Sequence, residues 1–156
     1  MKELLEKLVL KNLSLGSVES MTAGLFVSSF ADVPGASKAL KGSLVTYSVE
    51  EKVKLLGMDP KVIEKHGVVS EEVAKEMARL GKKVLNVDVC VSITGNAGPT
   101  CEPGGKRVGC FYVGVAYNGL ISVFSHQIDG TRDYIRHQAV LAMREDIQKN
   151  LKLKNI

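Results

Sequence analysis

Asp88 to Ile93 reads DVCVSI, an apolar, β-branched run followed by a Gly- and Pro-rich stretch, Gly95 to Gly105 (GNAGPTCEPGG). A run this short and this apolar predicts a buried strand rather than a membrane span. The rest of the chain supplies both strands and helices around it. Leu4, Leu5, Leu8, Val9 and Leu13 recur at helical spacing and predict an amphipathic helix over residues 2–12. Leu15 to Val18 is a short strand, Glu19 to Gly24 a tight polar turn, and Leu25 to Phe30 a helix containing small residues. Asp32 to Ser37 (DVPGAS) is a loop by its Pro-Gly punctuation. A strand follows over Gly42 to Tyr47, then short helices over Glu50 to Leu56 and Pro60 to Lys65. Ser70 opens a longer helix to about Val84 as its N-cap, with Val73 where a capping-box acid would stand, so half the box is present. Val108 to Tyr117 and Ser122 to Ile128 are strands joined at Asn118-Gly119, a two-residue hairpin signal. Thr131 to Leu151 is a long helix with Asp133 in its first turn. Strands alternating with helices early and a hairpin late predict an α/β fold, a three-layer α/β/α sandwich with a mixed β-sheet.

The 156 residues suit one domain, and 45% apolar with 24% charged residues is the balance of a soluble globule. There is no internal repeat, low-complexity tract or linker. The net charge of +4 is interleaved with acids, and lysines are dense only at the ends (Lys2, Lys7, Lys11; Lys149, Lys152, Lys154), as on solvated helix faces. Tryptophan is absent and aromatics are few, so no base-stacking platform is present and nucleic-acid binding is not expected. The first residues, MKELLEKLVLKNL, lack the continuous apolar stretch of a signal peptide, and no segment reaches the length of a membrane span. Membrane association is therefore not expected. Cys90, Cys101 and Cys110 form no CxxC pair, which gives no zinc spacing; Cys90 reads as core, and reduced thiols suit a cytoplasmic protein. His66, His126 and His137 are scattered without ligand spacing and read as structural or surface residues.

Four segments carry residues suited to chemistry. In Glu19-Ser20-Met21-Thr22-Ala23-Gly24, between a strand and a helix, Ser20 or Thr22 can cap the helix. Alternatively, a serine on such a turn can be a nucleophile beside unsatisfied N–H groups able to hold an oxyanion. Thr46 to Lys52 (TYSVEEK) repeats the logic: Ser48 caps a helix, and Lys52 is either a solvated residue or a general base whose pKa burial has lowered. The loop from Thr94 to Gly105 follows a buried strand, where α/β sheets place ligands, and its glycines permit close backbone approach. It is neither a P-loop nor a dinucleotide fingerprint, and a flexible surface loop is the alternative. Arg132 and Arg136 are four apart on one helix face, suited to phosphate or carboxylate, or to pairing with Asp129 or Asp133.

These segments, in this order, resemble the carboxy-terminal domain family of the competence-damage-inducible protein CinA, whose stand-alone members are nicotinamide-nucleotide amidases. The matching strings are VESMTAGL, DVPGAS, GSLVTYSVEEK, HGVVSEEVAKEMA, SITGNAGP, VGCFYVGV and GTRDYIRHQA, spanning residues 18 to 140 or so. The resemblance implies hydrolysis of nicotinamide mononucleotide to nicotinate mononucleotide and ammonia, with no metal or organic cofactor. By position it puts the catalytic serine on Ser20, the lysine on Lys52 and the tyrosine on Tyr47. It makes Thr22, Ala23, Gly24, Gly95, Asn96, Ala97, Gly98 and Arg132 the substrate-binding candidates.

The sequence departs from the family pattern at Met21, where the usual turn has cysteine, which leaves Ser20 or Thr22 as nucleophile. Asn96 replaces an apolar residue of the ligand loop. The expected mechanism has Lys52, directly or through Tyr47, deprotonate Ser20 while N–H groups around Thr22 to Gly24 hold the oxyanion. Lys106, Arg107, Arg132 and the Gly95–Gly98 loop are the candidates for the substrate phosphate. A non-catalytic pyridine-nucleotide sensor and an amidase for another small amide are the alternatives. A homo-oligomer is expected, with the hairpin strands around Val113 and Val123 as an edge.

Overall fold

In the computed structural model, residues 1–152 are described; Lys154, at the basic C-terminal end, lies outside them. Five strands form one mixed sheet in the order β2-β1-β3-β4-β5. They are β1 (Leu15–Glu19), β2 (Leu40–Val45), β3 (Val89–Gly95), β4 (Cys110–Tyr117) and β5 (Leu120–Gln127). β1 runs parallel to both β2 and β3, whereas β4 is antiparallel to β3 and β5 to β4. The helices are α1 (Lys2–Leu10), α2 (Leu25–Ala31), α3 (Val49–Leu56), α4 (Pro60–His66), α5 (Glu71–Leu85) and α6 (Arg132–Asn150). The expected mixed sheet covered on both faces is the fold found.

Side chains alternate across the sheet with a period of two, and this sorts the core into two layers. Leu15, Val89, Val91, Ile93, Phe111, Val113 and Val115 pack against Leu4, Leu5, Leu8, Phe26, Phe30, Ile135 and Met143, from α1, α2 and α6. Val18, Cys90 and Ala116 face the other way, against Val73, Met77 and Ala78 of α5 and Leu56 and Met58 at the end of α3. Cys90 is core as read from the sequence, and burial pushes its thiol up to about 12, leaving no thiolate near neutral pH.

The starts of α5 and α3 follow the side chains predicted to make them, whereas α2 starts at Gly24 with no side-chain cap, neither Ser20 nor Thr22 serving there. The Ser70 hydroxyl accepts from the Val73 N–H at the head of α5, the half-box read from the sequence. Ser48 accepts from Glu51 ahead of α3, and Thr131 from Tyr134 ahead of α6. Asn118 and Gly119 both adopt positive φ (50° and 76°), as a tight two-residue hairpin requires.

The largest departure is β2, which begins at Leu40 rather than Gly42 and ends at Val45 rather than Tyr47. Pairing decides this: Leu40 is drawn against Leu15, the first residue of β1, and a register shift follows before Gly16 meets Gly42. Thr46 makes one more bond, its N–H donating to Glu19 O at 2.9 Å, after which the chain leaves the sheet. Thr46 and Tyr47 are thereby released from the strand into a connection that borders the site.

α5 lies close to the sheet because Gly81 has no side chain. A Cβ there would stand 2.2 Å from Val18 Cγ2 and 2.9 Å from Cys90 Sγ. Replacing a helical glycine normally gains about 1 kcal/mol of propensity, but here overpacking, at roughly 1–3 kcal/mol, opposes it. Gly81→Val, which adds a β-branch at the clash, should lower the midpoint of urea unfolding. An unchanged or raised midpoint would show that α5 shifts freely.

Candidate active site

The period of two also divides the end of β1. Glu19 points to the α2 and α6 side and Ser20 to the α3 and α5 side. The Glu19 side chain is fully buried. Its Oε1 accepts from Thr22 Oγ1 at 2.7 Å, Gly24 N at 3.1 Å and Phe26 N at 2.9 Å, and its Oε2 accepts from Val27 N at 3.0 Å. Burying a carboxylate costs several kcal/mol, and hydrogen bonds to a charged acceptor each return about 1.5–3 kcal/mol. Four such bonds, three of them from N–H groups at the start of α2, offset the burial. Glu19 therefore ties the turn to the helix behind it, with its negative charge at the positive end of α2.

Ser20, on the opposite side, is 8% exposed. Lys52, in the first turn of α3, is fully buried. Its Nζ donates to Ser20 Oγ at 3.1 Å and to Thr46 O at 2.7 Å. Among the described residues no carboxylate pairs with Lys52. Burial lowers its pKa from 10.5 to about 8. A buried amine that carries no fixed counter-charge and touches a nearly buried hydroxyl is the arrangement a serine nucleophile with a lysine base requires.

Beside Ser20 lies a pocket of about 240 Å³. Met21, Val68, Val69 and Ala97 give it apolar walls, and Thr94, Tyr47, Gly95, Asn96 and Arg132 complete it. Thr94, on the same side of the sheet as Ser20, donates to Val68 O at 2.7 Å and so fixes the segment between α4 and α5 against the sheet. A second cavity of about 550 Å³ adjoins it, sharing Val68, Val69, Gly95, Asn96 and Arg132 and adding His66 and Lys106.

The structure brings Ser20 and Lys52 together as read from the sequence but redistributes several other roles. Lys52 reaches Ser20 directly, not through Tyr47. The Tyr47 ring is 56% exposed at the pocket rim, and its hydroxyl accepts from Arg132 Nη2 at 3.0 Å. The oxyanion donors expected around Thr22 to Gly24 are partly spent: Gly24 N–H on Glu19, and Ala23 N–H on Ser20 O at 3.0 Å. The Thr22 hydroxyl is fully buried and donates to Glu19, and of the two nucleophile candidates it is Ser20 that lines the pocket. Among the described residues nothing accepts from the N–H groups of Met21 or Thr22.

Met21 itself is core, and the chain makes room for it at Gly95, where a Cβ would stand 2.5 Å from Met21 Sδ and 2.3 Å from Phe111 Cβ. Asn96 staples its own loop. Its Oδ1 accepts from Gly98 N at 2.8 Å, and its Nδ2 donates to Thr100 O at 3.2 Å and Lys106 O at 3.1 Å. These bonds occupy both ends of its amide and account for a polar residue at that position. Arg132 also donates to Gly98 O. Of the other cations, Arg107 pairs with Asp129 at 3.0 Å in a separate groove. Arg136 turns inward, donating to Met21 O at 2.9 Å and Thr22 O at 3.1 Å. Neither Arg132 nor Arg136 pairs with Asp129 or Asp133. His66 lines the second cavity, while His126 sits on the buried Asp146 at 2.6 Å and stacks on Phe111 at 4.8 Å.

The fold and site together define a three-layer α/β/α domain that holds a buried lysine on a serine at the end of its first strand. The chain belongs to the CinA family: the model of the CinA C-terminal domain matches residues 1–151. It is 42% identical over 136 residues to a CinA-like protein of Petrotoga mobilis, a match covering 87% of this chain and 34% of that one. A CinA-like protein of Fervidobacterium nodosum is 37% identical over 146 residues, covering 94% and 36%. The chain thus spans about a third of the length of these curated relatives. A CinA superfamily protein from Klebsiella pneumoniae has the same fold, with a TM-score of 0.94 over 97% of this chain and 94% of that one at 22% identity. Among the described residues no helix is long and apolar enough to cross a membrane.

The lowered Lys52 pKa has a thermodynamic signature that does not depend on function. Between the folded value of about 8 and the unfolded value near 10.5 the unfolded chain binds more protons, so stability rises with pH across that window. Below about 8 the whole penalty is present. The raised Cys90 thiol works the other way above its unfolded value near 9, and does so in both proteins. The stability of the wild type relative to Lys52→Met, measured by urea unfolding, should therefore rise by about 3 kcal/mol across the window. Parallel pH profiles would mean that Lys52 is solvated.

Proposed function

We propose that the domain hydrolyses the carboxamide of nicotinamide mononucleotide to nicotinate mononucleotide and ammonia, with Ser20 as nucleophile and Lys52 as base. The observation that carries the chemistry is the 3.1 Å contact between Lys52 Nζ and Ser20 Oγ, made by an amine without a carboxylate partner. The substrate follows from the resemblance of seven segments to nicotinamide-nucleotide amidases. The shapes of the cavities agree with it. A pocket of about 240 Å³ with Met21, Val68, Val69 and Ala97 as walls suits a flat pyridine ring and its amide. The adjoining 550 Å³ has space for ribose and phosphate, with Lys106 and Arg132 as the cations facing it. Arg107, engaged by Asp129, is not needed.

In the reacting state Lys52 is neutral, and the hydrogen bond between the two side chains runs from Ser20 O–H to the Nζ lone pair. With a pKa of about 8, about a tenth of the molecules hold that form at pH 7, against well under roughly one in a thousand for an unshifted lysine. The pyridinium charge of the substrate favours the neutral amine further. Ser20 Oγ attacks the carboxamide carbon as Lys52 takes the proton. The oxygen that becomes negative is met by the N–H groups of Met21 and Thr22. Lys52 then returns the proton to the leaving nitrogen, and ammonia departs. Water, deprotonated by Lys52, cleaves the Ser20 ester and releases the carboxylate. Thr46 O holds the amine in place throughout.

Ammonia release from nicotinamide mononucleotide by the purified protein is the test. Ser20→Ala and Lys52→Met should each remove nearly all turnover with the circular dichroism spectrum unchanged. In the wild type kcat/KM should rise about tenfold per pH unit and level off near pH 8. Turnover surviving Ser20→Ala would end the covalent mechanism, and binding without ammonia release would turn the reading to a pyridine-nucleotide sensor. Separately, Lys106→Ala should raise KM for the mononucleotide by roughly tenfold while leaving kcat near its wild-type value, as loss of one phosphate contact does. An unchanged KM would place the phosphate elsewhere.

A further inference from the structure

Among the described residues Arg136 is the one cation next to the nucleophile turn that the proposed reaction leaves without a task. It enters from α6, on the side of the sheet opposite Lys52, and its guanidinium spans two consecutive carbonyls, Met21 O at 2.9 Å and Thr22 O at 3.1 Å. Among the described residues it has no carboxylate partner, so its charge falls on these peptides.

A trans peptide points its C=O and its N–H in opposite directions. Holding Met21 O toward α6 therefore aims the Thr22 N–H away from α6, to the side where Ser20 Oγ meets Lys52. A cation bound to the carbonyl of a peptide also draws electron density from its nitrogen, so the N–H becomes a stronger donor. We infer that Arg136 is a positioning residue that aims and polarises the Thr22 N–H as an oxyanion donor through the Met21–Thr22 peptide, without touching substrate. The inference rests on the serine mechanism proposed above and adds the element that organises its oxyanion site. It also explains why this arginine, unlike Arg132, turns from the cavities toward the backbone. Of the two peptides it holds, Met21–Thr22 carries the free Thr22 N–H, while Thr22–Ala23 carries the Ala23 N–H already spent on Ser20 O.

The test compares the full-length wild type with Arg136→Gln and Arg136→Lys in two assays. One is steady-state ammonia release from nicotinamide mononucleotide across pH. The other is the rate at which a fluorophosphonate labels Ser20, followed by intact mass. In the labelling reaction Ser20 Oγ forms a bond to phosphorus, fluoride leaves, Lys52 takes the serine proton, and the phosphoryl oxygen occupies the oxyanion position. Arg136→Gln should lower kcat roughly 10- to 100-fold, less than or near the loss of a whole donor. KM should stay unchanged, the acidic limb near pH 8 should not move, and labelling should slow in parallel. Arg136→Lys, which keeps the charge but not the two-pronged geometry, should recover part of both rates.

Wild-type kcat and labelling in Arg136→Gln would overturn the inference. A rise in KM in place of the fall in kcat would also overturn it, by making Arg136 a substrate anchor. So would a displaced pH limb, which would mean that the whole site had loosened. If the wild type released no ammonia from the mononucleotide, the substrate reading would fail, and the labelling rates alone would decide the role of Arg136. A wild-type Ser20 inert to the probe would overturn it as well, because no activated serine would be there to serve.

Discussion

The buried carboxylate of Glu19 is the interaction on which the site depends. It closes β1 by gathering four donors from the next eight residues, and in doing so fixes where α2 begins. Ser20 is the adjacent residue, and the pleat of the strand sends it to the other face. A residue that only capped α2 would need one hydrogen bond, and a hydroxyl would suffice. A carboxylate that takes up the N–H groups of Gly24, Phe26 and Val27 together restrains the whole turn, so the serine next to it is held without spending its hydroxyl on the turn. Its hydroxyl is left for Lys52.

Lys52 works by the opposite means. Glu19 is offset bond by bond, whereas Lys52 is left with two neutral acceptors, Ser20 Oγ and Thr46 O. Desolvation is the cause of its lowered pKa, and a carboxylate placed nearby would cancel the effect. The domain therefore carries a destabilising group at the point where the proposed reaction wants a base near neutral pH, in line with the general opposition between stability and activity at reactive sites. The end of β2 contributes to this. Because pairing stops at Val45 and Thr46, the Thr46 carbonyl turns from the ladder toward Lys52 and orients the amine without charging it.

How much of this was legible in the sequence depends on the range of the forces involved. Caps and turns were legible because they are local: Ser70, Ser48 and Asn118-Gly119 act within three or four residues of themselves. The burial of the DVCVSI strand and the division into layers followed from periodicity. The ends of β2 were not legible, since they are set by Leu15 and Glu19 more than twenty residues away. The serine and lysine were marked as candidates by chemistry and by resemblance, but only the folded chain decides between a solvated Lys52 and a buried one. Glu19 was seen as part of a polar turn and not as its organiser. Asn96 looked like an intrusion into a ligand loop, and in the fold its amide turns out to bind that loop together. Arg136 had the right charge for an anion, and its backbone partners lie more than a hundred residues away in sequence.

The positions of Lys52 and Arg136 on opposite sides of the sheet follow from a physical requirement. Under the proposed mechanism, both a base and a fixed positive charge are useful to a serine that must lose a proton and then see an adjacent oxygen become negative. Placed side by side, a permanent guanidinium would press on the lysine and shift its pKa by an amount that varied with every small movement. Separated by the sheet, each acts on a different part of the same turn. Lys52 reaches the Ser20 oxygen from the α3 side, and Arg136 reaches the Met21 and Thr22 carbonyls from α6. In the proposed reaction the pKa of the base is then set by burial, and the strength of the Thr22 N–H as a donor by a charge held on the far side of the sheet. A doubly covered strand end is well suited to this separation, because consecutive residues there already face different layers.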